Sequence, residues 1–101
     1  MDAADVRRLV AELPEAVEGA HHGHPDFRVR KKIFATLSER EDRAAVRITA
    51  HEARELANSD PRVYRLVSDR EPVAWLSVLL DAADPQLVHD LLEEAWRLRA
   101  A

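Results

Sequence analysis

Apolar residues near the start of the chain recur with a helical period: Val6, Leu9, Val10 and Leu13 fall at i, i+3, i+4 and i+7. That spacing puts them on one stripe of an amphipathic helix over Asp5–Leu13, which Pro14 stops. Between Glu15 and Ile48 the period drops to two. Phe27 and Val29 alternate with Arg28 and Arg30; Ile33, Ala35 and Leu37 with Phe34 and Thr36; Ala44, Val46 and Ile48 with Ala45 and Arg47. These segments read as strands buried on one side only. Arg30-Lys31-Lys32 predicts a hairpin tip and Ser38–Asp42 a polar connection, although neither has the Gly or Asn that a tight primed turn prefers.

Thr49-Ala50-His51-Glu52 has the spacing of a capping box and predicts a second helix, running to about Asn58 before Asp60-Pro61 prevents continuation. Arg62–Val67 and Val73–Leu80 are rich in β-formers and flank the polar stretch Ser68–Pro72, a second hairpin signature. Asp84 then caps a final helix with Pro85 at its first position. Gln86, Asp90, Glu93 and Arg97 share its polar face, while Val88, Leu91, Leu92 and Ala95 centre an apolar arc that needs a sheet to pack against. Helix, strands, short helix, hairpin, helix lacks the regular β-α-β alternation of a doubly wound sheet. The expected fold class is therefore α+β, an antiparallel β-sheet with helices packed on one face.

Composition narrows the class further. A chain of 101 residues suits a single domain spanning 1–101, and 47% apolar with 34% charged residues is globular rather than disordered composition. Without cysteine there is no disulfide framework or thiolate site, which makes a reducing, cytoplasmic location the expectation. The first ten residues have no apolar leader pattern, and no uninterrupted apolar run is long enough to span a bilayer, so no membrane role is expected. The net charge of −4 repels a polyanion overall, and an anionic partner therefore requires locally clustered positive charge. Thirteen of the fifteen basic residues are arginine, a bias that base composition alone can produce.

A sheet with helices on one side leaves its other side wet. If Phe27, Val29, Val46, Leu76, Val78 and Leu80 face the helices, then Arg28, Arg30, Arg47, Trp75 and Ser77 face away, joined by Phe34 and Thr36 if Ile33 points inward. Cations interleaved with rings suit anionic, planar partners, although solvated strand faces also carry arginine and threonine for solubility alone. In His21-His22-Gly23-His24-Pro25-Asp26 an extended chain puts His22 and His24 on one side with Asp26 as a third donor. The spacing matches no strong metal motif, and loop hydrogen bonding is the simpler reading. His51 and His89 read as surface or boundary residues. With only Gly19 and Gly23 there is no glycine-rich phosphate loop, and no nucleophile stands in a catalytic setting, so no enzyme activity and no cofactor are expected.

The segment Gly23-His24-Pro25-Asp26-Phe27-Arg28-Val29, followed by Lys32-Ile33-Phe34-Ala35-Thr36-Leu37, resembles the signature of the MmcQ/YjbR family. Leu13-Pro14-Glu15-Ala16, Trp75-Leu76-Ser77-Val78 and Leu91–Leu98 are similar to that family in the same order, so the resemblance covers nearly the whole chain. It implies a frataxin-like (CyaY-like) fold and DNA binding without established catalysis. By position it matches Arg47 to the family's basic strand residue, Lys32 to its tip lysine and Trp75 to its tryptophan. Lys31 and Ala74 stand where the family usually has glycine, which departs from the pattern at both ends of the proposed face. The resulting expectation is a binding protein that meets DNA through Arg28, Arg30, Lys32, Arg47 and Trp75. The rivals are a module that pairs with another chain or with itself through the same face or an edge strand, and, third, a metal protein using His22, His24 and Asp26.

Overall fold

A computed structural model describes residues 1–101. Helix α1 spans Ala3–Ala11, strands β1 to β4 span Val17–His21, His24–Val29, Lys32–Leu37 and Arg43–Thr49, and helix α2 spans Ala50–Ser59. Strands β5 (Tyr64–Ser68) and β6 (Val73–Leu79) and helix α3 (Pro85–Ala100) complete the chain. The six strands form one antiparallel sheet in the order β1-β2-β3-β4-β6-β5, and the fold is α+β.

All three helices lie on one side. α3 crosses β2, β3 and β4, α2 covers β4, β5 and β6, and α1 rests against α3. Val88, Leu91, Leu92 and Ala95, the arc expected from the final helix, are buried against Phe27, Val29, Ala35, Leu37, Val46, Ile48, Leu76 and Val78. Aliphatic and aromatic burial of this extent is the main favourable term holding the sheet to its helices. Trp96 contributes a polar handle as well, its indole N–H donating to the Pro14 carbonyl at 2.9 Å and tying α3 to the α1–β1 connection.

Three local departures from the sequence expectation have physical causes. α1 begins two residues early because Asp2 caps it: the Asp5 amide donates to Asp2 Oδ1 at 3.0 Å and the Asp2 amide to Asp5 Oδ2 at 2.9 Å, a reciprocal box that an apolar stripe does not reveal. At α2 the opposite holds. Thr49 is the N-cap but its side chain makes no cap bond; its amide donates instead to Glu94 Oε2 of α3 at 3.4 Å, and the Ala50 amide to the Pro72 carbonyl at 3.0 Å. Tertiary acceptors replace the predicted capping box.

The third departure decides which side chains reach solvent. Phe27 pairs with Ala35 but Arg28 pairs with Ile33, so β3 carries one extra residue, Phe34. This β-bulge resets the alternation. Phe34 is fully buried in the core, and Ile33 shares the outward face of Arg28, the reverse of the simple period-two assignment for Phe34. β3–β4 pairing stops at Ala35–Val46, and the free Ile33 carbonyl accepts from Arg99 Nε of α3 at 3.0 Å.

Candidate anion-binding face

Two tight turns frame the outer face of the sheet. His22 (φ 49) and Gly23 (φ 80) connect β1 to β2, and Arg30 (φ 53) and Lys31 (φ 68) connect β2 to β3. Positive φ at both central positions is primed-turn geometry. The first turn was not foreseen, and it dissolves the proposed His22–His24 pairing: His22 sits at the turn, and His24 is instead the cross-strand partner of His21. Asp26, the suggested third ligand, is committed to Arg28. No group of three or more His, Cys, Asp or Glu is arranged to hold a metal.

Cross-strand partners project to the same face, so register alone maps the open side. Its central row runs partner to partner through Gly19, Asp26, Thr36, Ala45, Ser77 and Arg65. Apart from Asp26 and the terminal Arg65 these are small side chains, and Asp26 lies low. Its carboxylate is completely buried, held by Arg28 Nε and Nη2 at 3.0 Å each. A Cβ at position 19 would meet Asp26 Oδ1 at 2.9 Å, so Gly19 makes the room that this fork occupies. The same face holds a trough of about 280 Å³ lined by residues from every strand, His21, His24, Thr36, Arg43, Ser77 and Val67 among them, around which the sheet curls. A larger hollow of about 470 Å³ between α1 and the start of α3 is lined by Asp5, Glu12 and an Arg8 already paired with Asp5.

Arginine side chains differ in whether a carboxylate reaches them. Arg7, Arg8, Arg54 and Arg97 all have carboxylates within 4.0 Å, and Arg28 has Asp26. Arg43, Arg47 and Arg65, which stand on the open face around Ala45 and Ser77, have none. Burial and the neighbouring Arg65 push the Arg43 pKa down; burial and Arg99 do the same to Arg47. Partly desolvated guanidinium groups crowded by like charge form a field that an anion relieves. The only acid on these inner strand positions, Asp26, is already spent on Arg28. Arg43, Arg47 and Arg65 thus leave three uncompensated positive charges on one side of the sheet of an acidic chain.

The five residues expected from the sequence do not lie in one patch. Arg47 and Trp75 are direct cross-strand partners, both half-buried on the open face. Arg28 shares that face, but Asp26 neutralises it and holds its pKa up. Arg30 is at the exposed turn, and Lys32, opposite inward-facing Val29, belongs by register to the helix side of the rim. Arg43 and Arg65 were missed, although Arg43-Ala45-Arg47 at period two already placed Arg43 beside Arg47's face. The gathering of His21, His24, Thr36 and Ser77 depends on strand order and had no local signal.

These features define a class: an open-faced antiparallel α+β domain with an arginine-lined concave sheet. The family model described as YjbR matches residues 11–98, and the chain belongs to the YjbR family. The crystal structure of a Deinococcus radiodurans protein with a DUF419 domain is similar over 96% of this chain and 77% of that one, with a TM-score of 0.84 at 21% identity. A Pseudomonas syringae protein structure is similar over 98% of this chain and 99% of that one, with a TM-score of 0.73 at 13% identity. At these identities the likeness concerns the fold. No curated protein matches the chain.

Proposed function

We propose that this YjbR-family chain is a non-enzymatic, cytoplasmic binding protein whose open face receives DNA, in single-stranded form. The carrying observation is the set of three arginines, Arg43, Arg47 and Arg65, without carboxylate partners on one face of a chain with net charge −4. Trp75 beside Arg47 offers a stacking ring next to a phosphate contact, which suits the unpaired bases of a flexible strand better than a rigid duplex. Anisotropy titration of labelled single- and double-stranded DNA at two salt concentrations tests this. Three phosphate contacts on a single strand give a log–log salt slope of about −2, from about −0.7 per contact. Trp75→Ala weakens binding about tenfold, within the range for loss of one base stack. Absence of binding at low salt rejects the reading.

A second reading rests on the sheet edge. β1 is an edge strand exposed along most of its length, with Val17 at 59% exposure, and another chain can add a strand there. Sedimentation analysis of the purified protein separates the two: a stable dimer favours the edge.

A further inference from the structure

Within the trough, hydrogen-bond donors converge from three directions. Arg43 forms one wall and is fixed before any ligand arrives: its Nε donates to Ser77 Oγ at 2.8 Å, and its Nη2 to the Val63 carbonyl at 3.0 Å and the Ser77 carbonyl at 3.4 Å. Its Nη1 is left without a protein partner. Thr36 and Ser77 supply hydroxyls from the floor, and the Thr36 hydroxyl makes no hydrogen bond within the protein. The cross-strand pair His21 and His24 forms the opposite wall, neither ring lying within 4.0 Å of a carboxylate. No acidic side chain lines the hollow itself, Asp42 standing behind it and accepting from the Ser38 hydroxyl at 2.8 Å, and Leu37, Ala45 and Val67 complete it with apolar surface.

A planar carboxylate accepts in one plane, whereas a phosphate presents oxygens in three dimensions and matches donors arriving from a floor and two walls. The fork of Arg43, pre-set by its own hydrogen bonds, loses little freedom on meeting such a group. About 280 Å³ is enough for a phosphate and the first atoms esterified to it, and too little for an extended chain to lie in. We propose that this trough is a subsite for a phosphate monoester, with Arg43, Thr36, Ser77 and the His21–His24 pair holding the oxygens and Val67 and Ala45 receiving the esterified group. The inference rests on reading the open face as anion-binding and names the chemical group that the trough takes.

Two sources present this group, a free mononucleotide and the 5′-phosphorylated end of a DNA strand. Amide NMR titration with inorganic phosphate, against chloride at equal ionic strength, tests the site directly. The expected result is saturable, phosphate-specific shifts confined to the residues lining the trough, His21, His24, Thr36, Arg43, Ala45 and Ser77. Thr36→Val, which suits a strand and keeps the fold, is expected to weaken phosphate at least fivefold, while Arg30→Gln at the distant turn changes nothing. Shifts that match chloride, spread over all basic residues or survive Thr36→Val unchanged overturn the proposal. Thymidine 5′-monophosphate against thymidine, and a 5′-phosphorylated against a 5′-hydroxyl oligonucleotide, then identify the source by which pair shows the gain. Binding of the 5′-hydroxyl strand is the separate readout for Arg47 and Trp75: if it persists while phosphate fails, only the subsite is lost.

Discussion

The two faces of this sheet are made from the same strands, residue by residue, yet they obey opposite constraints. Toward the helices, Phe27, Ala35, Val46 and Leu76 stand in register and are sealed under α3 and α2. One residue further along each strand, Arg28, Thr36, Arg47 and Ser77 face out, and the large side chains give way to small hydroxyls and arginines. Charge separates as well. On the helix side two carboxyls, Glu52 of α2 and Glu94 of α3, are pressed together, and the hydrogen bond to Glu94, with burial, pushes Glu52 up to about 7. On the open side burial, with a neighbouring arginine in each case, pushes Arg43 and Arg47 down. The covered face removes its repulsion by binding a proton. For the arginines, whose protons stay on in the working range, only an external anion achieves the same.

The largest effect that can break this comparison is at the bulge. Phe34→Ala is expected to cost about 3–5 kcal/mol by urea unfolding, the usual range for emptying a buried aromatic site, whereas Ile33→Ala on the open side costs about 1 kcal/mol. Equal losses would mean that the bulge does not assign the faces as described. A smaller effect sharpens the charge contrast. Because the folded value of Glu52 is above its ordinary 4.5, its contribution to stability is fully present below pH 4.5 and is lost as pH rises through about 7. Glu52→Gln therefore stabilises the protein at pH 8 by about 1 kcal/mol, after allowing for solvent screening of a half-exposed group, and has little effect at pH 4. A thermal melt series from pH 4 to 8 checks it; a gain that does not grow with pH removes the carboxyl pair from the account.

The smallest change lies at the rim where the faces meet. Lys31 adopts φ 68 in the β2–β3 turn, a conformation that costs a residue with a Cβ about 1 kcal/mol or more. Lys31→Gly is expected to raise stability by about 0.5–1 kcal/mol in chemical denaturation, the relief being partly offset by the greater freedom of glycine when unfolded. A loss on this substitution would show that the turn draws support from the lysine side chain.

Much of the fold was legible because its signals are local. The α3 arc of Val88, Leu91, Leu92 and Ala95 follows from a period of 3.6, the Asp84-Pro85 start from capping chemistry, and the outward turn of Arg47 and Trp75 from a period of two. Where reading failed, a distant residue had overruled a local preference. Glu94 and Pro72 took the amides that a Thr49–Glu52 box would have satisfied, and the inserted Phe34 reversed the facing of β3 in a segment that alternates without a break in sequence. The family resemblance pointed to the right domain, but Lys32 shows how a matched position can carry a side chain that is turned aside, and Arg28 how alternation can pick out a cation that is already neutralised.

The amino-acid sequence by itself determined which segments become helix or strand and which residues prefer water, since both depend on neighbours a few positions away. Strand order, the bulge and the closeness of Gly19 to Asp26 were decided only in three dimensions. The capacity of an arginine for an outside anion belongs to that second set, because a guanidinium is available only when folding brings no carboxylate to it. The tertiary fold left Arg43, Arg47 and Arg65 on the open face with no carboxylate within 4.0 Å, and set Arg43 alone of the three in the trough.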